Sequence, residues 1–132
     1  LGFYVVVLDN RANLNTMEQN TFAHEKYIID YSEAEKHIPE GENIYVALVS
    51  FGFKTDEVVL RQIIRNKYKY LGMMGSKEKI KELFKNMLND DFTQREIDKV
   101  YSPIGIQINS KTTPEIAVSI AAEIIKVKHQ SN

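Results

Sequence analysis

The residues of this chain best suited to chemistry are those that can hold an anion, and they gather in Tyr70-Leu-Gly-Met-Met-Gly-Ser-Lys-Glu-Lys79. An apolar run leads into Gly75, which permits a sharp turn, and then into Ser76, whose hydroxyl can accept from the free N–H groups of a following helix. Those N–H groups and the helix dipole favour negative charge, so phosphate or carboxylate is the matching ligand; the same pattern also serves as a plain helix cap. A helix terminus contributes about 0.3–2 kcal/mol against the roughly 8 kcal/mol of micromolar binding, so Gly75 and Ser76 can orient an anion but need partners to hold it. Gly72 and Lys77 flank them, and two further groups are candidate partners: Asp9, Asn10 and Arg11, and the stretch Ser50, Phe51, Gly52, Phe53. Asp9 has the character of the acid that grips a ribose hydroxyl in dinucleotide-binding folds, although the G-x-G-x-x-G loop that precedes such an acid is not in this chain. Its alternative is a solvated acid at a strand end. The planar fork of Arg11 suits a phosphate or a carboxylate of a partner chain.

These residues need a sheet to bring them together, and the hydropathy pattern supplies one. Phe3 to Leu8 is a bulky, largely β-branched run ending in Asp9; a short strand is expected near Tyr27 to Ile29, a helix over about Ser32–His37, a turn at Pro39-Glu-Gly-Glu42, and a strand over Ile44–Val49. A helix over about Asp56–Asn66 buries Val58, Val59, Ile63 and Ile64; the strand Tyr70–Met74 follows, then a helix Ser76–Leu88 with apolar positions at helical spacing. Strands apolar along their whole length, alternating with amphipathic helices, imply a doubly wound parallel α/β sheet covered on both faces. Ligands bind such sheets at the carboxyl ends of the strands, which is where the three candidate groups fall. After Leu88, Thr93-Gln-Arg-Glu96 opens a short helix that stops before the turn Ser102-Pro-Ile-Gly105. The last helix has two competing starts, Thr112 capping with Glu115 reciprocating or Thr113 capping with Pro114 at the first position.

Composition narrows the chemistry. The 132 residues, 43% hydrophobic, suit a single domain with a real core. Lys+Arg 17 against Asp+Glu 18 leaves no basic excess for nucleic acid or a membrane surface. No apolar run approaches the roughly 20 residues of a membrane span and no signal-peptide pattern is present, so the cytoplasm is the expected compartment. Cysteine is absent, which removes disulfides, thiolate ligands, cysteine nucleophiles and a persulfide relay on this chain. His24, His37 and His129 lie far apart, at no metal-ligand spacing. No serine–histidine pair, paired carboxylates or Walker loop suggests catalysis, and no metal is expected.

Four stretches together resemble the C-terminal Rossmann-like domain of the XdhC/CoxI family, the xanthine dehydrogenase accessory factors. They are Leu1-Gly-Phe-Tyr-Val-Val-Val-Leu-Asp-Asn-Arg11, Tyr70 to Lys79, Ser102-Pro-Ile-Gly-Ile106, and Thr113-Pro-Glu-Ile-Ala-Val-Ser-Ile-Ala-Ala-Glu-Ile-Ile125. The resemblance implies binding of the molybdenum cofactor (molybdopterin), support of its sulfuration by a cysteine desulfurase, delivery to a molybdenum hydroxylase apoenzyme, and a homodimer. It also places a glycine-rich loop just upstream of Leu-Gly-Phe, so the expected fold lacks its first strand, glycine loop and helix here, and residues 1–132 read as the C-terminal part of a longer protein. Where the family has a threonine, a histidine, one intervening residue and a second histidine, this chain has Ser50-Phe-Gly-Phe53; Asp56 is kept, and Tyr101 replaces a further common histidine. Phenyl rings neither donate, accept nor ligate as imidazole does, so here they stack on a flat ring system or fill core. The leading expectation is a non-catalytic accessory domain in which Asp9, Asn10, Arg11, Ser50, Phe51, Gly72, Gly75, Ser76 and Lys77 line a phosphate-bearing cofactor site. The alternatives are an NAD(P)-binding oxidoreductase or nucleotide-sensing module, and a purely structural domain that dimerises through its last helix.

Overall fold

The computed structural model describes residues 1–12, 21–50 and 52–130. Strand β1 (Val6–Asp9) pairs in parallel with β2 (Glu25–Ile28), Val6 opposite Glu25 and Asp9 opposite Ile28. β1 starts later than its apolar run. Ahead of it the Val5 carbonyl accepts from both His24 and Glu25, and the Val5 N–H donates to His24 Nδ1 at 2.9 Å, a side-chain partner that interrupts the ladder. Asp30 then caps a helix over Tyr31–His37, its carboxylate accepting from the Ser32 N–H. This helix is 3-10 rather than α, and Glu33 leaves helical dihedrals, so the turns do not propagate.

Strand β3 (Gly41–Leu48) leads to helix α1 (Phe53–Ile63), which begins three residues before the expected Asp56 because Gly52, extended, takes the cap position. Strand β4 (Tyr68–Met73) returns parallel to β3, with Tyr45 opposite Tyr70 and Leu48 opposite Met73. Ser76 then caps α2 (Lys77–Asn89), Thr93 and Glu96 form a capping box for α3 (Gln94–Ile97), and Thr112 and Glu115 form another for α4 (Thr113–Lys128). Thr112 is therefore the cap of the last helix, with Pro114 inside its first turn, where a missing N–H costs nothing.

β4 is buried on both faces, as its unbroken apolar run requires. Leu71 and Met73 join Val59, Leu60 and Ile63 of α1 and Leu83 and Met87 of α2 in the main core. Tyr70 turns the other way and donates its hydroxyl to Glu123 of α4 at 2.6 Å. Helices thus lie on both sides of this strand, the doubly wound arrangement. At the edge of β4 away from β3, Tyr101 pairs in parallel with Gly72, its N–H donating to the Leu71 carbonyl and its carbonyl accepting from Met73.

The strands do not form one continuous sheet. They make two parallel pairs, β1 with β2 and β3 with β4, and among the described residues no backbone hydrogen bond joins β1 to β3. Side chains connect the pairs instead: Phe3 meets Tyr45 edge-on at 5.0 Å, and Leu8 and Val46 pack against the same core. The β1–β2 pair is correspondingly open, with Val6, Tyr27 and Ile28 each between 44% and 51% exposed. No helix among the described residues is long and apolar enough to cross a membrane.

Candidate functional site

The carboxyl ends of β3 and β4 lie side by side, Leu48 opposite Met73, and Leu8 near the end of β1 packs against the same core. Asp9 ends β1. Its carboxylate accepts from Arg11 three times, from the backbone N–H at 2.9 Å, Nε at 3.1 Å and Nη2 at 3.0 Å. This two-point fork holds the Asp9 carboxyl below the usual carboxylate range, against the opposing effect of partial burial. Each charge of the pair neutralises the other, so a ligand hydroxyl that reaches Asp9 must share it with Arg11. Asn10 lies exposed in the bend between them.

Tyr31, which no sequence motif marked, stands between β1 and α1, its backbone carbonyl accepting from Gln62 of α1 at 2.7 Å. Its hydroxyl donates to the Leu8 carbonyl at 3.5 Å, and burial, then the charges of Asp9 and Asp56, raise its pKa. Asp56 is 4% exposed and accepts from the Ser50 N–H at 3.1 Å. Burial raises the Asp56 pKa, with the Ser50 bond working in the opposite direction. The Ser50 hydroxyl, within 2.6 Å of Thr55 Oγ1 and 3.0 Å from the Gly52 carbonyl it donates to, is spent on pinning its own loop. Phe51 lies outside the described residues. Phe53, the first residue of α1, packs against the core, so this member of the aromatic pair fills space.

Phe53 also meets the third candidate group. A Cβ on Gly75 would stand 2.8 Å from Phe53 Cε2 and 3.2 Å from Ile80 Cγ1, so only glycine lets the turn after β4 close on that ring. Ser76 beyond it accepts from the Lys79 N–H at 3.2 Å, which leaves the earlier N–H groups of α2 at the exposed rim beside Lys77. Gly72 is placed differently from the rest: it lies buried within β4, and a Cβ there would stand 2.5 Å from the Tyr70 hydroxyl and 2.8 Å from Ile104. Its contacts are with packing groups.

Next to Lys77 the structure opens a cleft of about 230 Å³, walled by Ile104, Gly105 and Ile106 on one side and by Ile116 and Ser119 of α4 on the other. Glu123 holds this wall in place by accepting from both Tyr70 and the Gly105 N–H, the latter at 3.0 Å. The turn Ser102-Pro-Ile-Gly105 is legible in the sequence as a turn; the α4 residue that holds it, 18 residues on from Gly105, is not. Tyr101 stacks on Tyr70 with ring centroids 4.8 Å apart. Among the described residues no group of three or more His, Cys, Asp or Glu side chains could hold a metal ion. His24 is engaged structurally, stacked on Tyr4 at 4.6 Å.

Residues 1–124 match the family model described as the XdhC Rossmann domain. The chain is 28% identical over 76 residues to the uncharacterized protein YqeB of Escherichia coli K12, covering 58% of this chain and 14% of that protein. It is likewise 28% identical over 76 residues to a probable xanthine dehydrogenase component of Bacillus subtilis 168, covering 58% of this chain and 21% of the relative. Among solved structures, a crystal structure of a xanthine dehydrogenase from Bacillus halodurans superposes with a TM-score of 0.81 at 26% identity, over 98% of this chain and 37% of that one. The chain therefore spans about a fifth or less of the curated relatives it matches.

Proposed function

From the premise that the chain belongs to the XdhC family, through its Rossmann domain, we propose that it is the cofactor-holding part of an accessory protein serving a xanthine dehydrogenase-type molybdenum hydroxylase. In this reading it binds the molybdenum cofactor, keeps it accessible to a cysteine desulfurase and passes it to the apoenzyme in the cytoplasm, without turnover of its own. One observation supports it: Asp9–Arg11, Ser50 and Gly75–Lys77 each follow the carboxyl end of a parallel strand, with Tyr31 tying β1 to α1 and Gly75 closing on Phe53 at the start of α1. The rim fits a phosphate-bearing group. Ser76 leaves N–H groups of α2 available beside Lys77, and Asp9 supplies an acceptor for ring N–H or hydroxyl donors. Once delivered, the cofactor supplies the redox chemistry of the hydroxylase; the residues here would hold and orient it. Sulfur comes from another protein or another part of this one, since the chain has no cysteine.

The test is a thermal melt of the longest natural polypeptide carrying this segment, with released molybdenum cofactor and, separately, with NAD. A shift of several degrees with the molybdenum cofactor and none with NAD is the expected result. Neither ligand moving the melt overturns binding altogether. A shift with NAD alone selects the second reading, a dinucleotide-binding module. That reading draws on Asp9 at the end of a parallel strand and on Ser50-Phe51-Gly52-Phe53 standing where the resemblance expects histidines.

A further inference from the structure

Helix α2 carries two parallel rows, of which the cofactor rim uses only Lys77. Ile80, Phe84 and Leu88 recur every four residues, and beside them Lys77, Lys81 and Lys85 do the same. Both rows line one groove of about 640 Å³. Its far wall is Ile97 of α3 and the Ser102–Pro103 turn, joined by a cis peptide bond. The three lysines are exposed, and among the described residues none has an ion-pair or hydrogen-bond partner. No carboxylate lines the groove. Leu88 is 42% exposed at one end, so the apolar floor is uncovered there.

We propose that this groove is a docking site for an amphipathic helix of a partner protein, one that lays apolar side chains on Phe84 and Leu88, over the buried Ile80, and aligns carboxylates with the lysine row. The occupant follows from charge and pitch. Residues four apart on a helix rise about 6 Å, so glutamates four apart on a helix lying alongside would match Lys77, Lys81 and Lys85 in step. From Lys77 to Leu88 the face runs roughly 17 Å, enough for about three turns of a partner helix. A lipid surface is a poorer occupant, because the exposed apolar face is small, Leu88 alone of Ile80, Phe84 and Leu88 being exposed, and is walled by Ile97, Ser102 and Pro103. Lys77 belongs to both the groove and the cofactor rim, so a docked partner would have one end beside that rim. The proposal stands on the groove alone and does not require the cofactor reading.

The experiment uses the whole chain, labelled with ¹⁵N, and two synthetic helical peptides of the same leucine pattern, one flanked by glutamates and one by lysines. The glutamate peptide is expected to shift the amide resonances of α2 and α3 and to bind roughly tenfold or more tightly than the lysine peptide at low salt, with the gap narrowing as salt is added. The double variant K81E/K85E, on exposed positions and checked for an unchanged circular dichroism spectrum, should reverse the preference. Equal binding of the two peptides, no shift along α2, or an unreversed preference overturns the proposal. So does sedimentation of the chain with phosphatidylglycerol vesicles through the same lysines in the absence of any peptide binding.

Discussion

At the scale of single residues, two carboxylates, Asp9 at the end of β1 and Asp56 on α1, are held in opposite ways, and the contrast can be measured. Asp9 has its pKa lowered, chiefly by hydrogen bonds from Arg11, so its contribution to stability is present above the unfolded value near 4 and is lost as pH falls through the folded one. Arg11→Ala should return the Asp9 carboxyl titration, followed by NMR, towards the ordinary range and remove that acid-dependent contribution; an unmoved titration would show that Arg11 is not the cause. Asp56 has its pKa raised by burial, so its charge penalises the folded state at neutral pH and the penalty fades as pH falls towards the unfolded value. Asp56→Asn keeps an acceptor for the Ser50 N–H. It should therefore be as stable as the parent or more so at pH 7 in urea unfolding, with any advantage shrinking by about pH 4; a clear loss at pH 7 would show that the charge itself holds the loop.

Elements position these residues, and one close approach is the turn from β4 into α2 against the start of α1. Gly75→Ala forces a methyl into Phe53 and Ile80, a crowding that costs about 1–3 kcal/mol. Phe53→Leu in the same chain should recover part of that loss in a double-mutant cycle, since the clash is with the ring; strictly additive effects would place the strain elsewhere. Most element positions were legible because capping residues and apolar periodicity act locally: Ser76 and Thr93 each sit where their type and spacing predict a helix start, and Thr112 is one of the two starts the sequence left open for the last helix. The misplaced start of α1 has a local cause too. Gly52 offers no side-chain cap, so nothing before Asp56 announced the first turn.

Across the whole molecule, the two strand pairs differ in how they are protected. β3 and β4 lie under the main core, whereas β1 and β2 form an open two-stranded pair, an arrangement that is marginal by itself. Amide hydrogen exchange of this chain should be slowest at Leu71 and Met73 and much faster along β2; uniform protection would show that the two pairs open as one unit. The alternation of apolar strands and amphipathic helices by itself determined the α/β class, the parallel strands and the carboxyl-end rim as the place to look, because periodicity reports which faces are buried. Only the tertiary structure decided that Arg11 is turned onto Asp9, that Tyr31 ties β1 to α1, that Asp56 holds the Ser50 N–H, that Gly72 packs within β4 and Gly75 closes on Phe53, and that, among the described residues, β1 and β3 share no ladder. Most of these depend on groups distant in sequence coming within a few ångströms, and short-range pattern carries no record of which distant surfaces will meet.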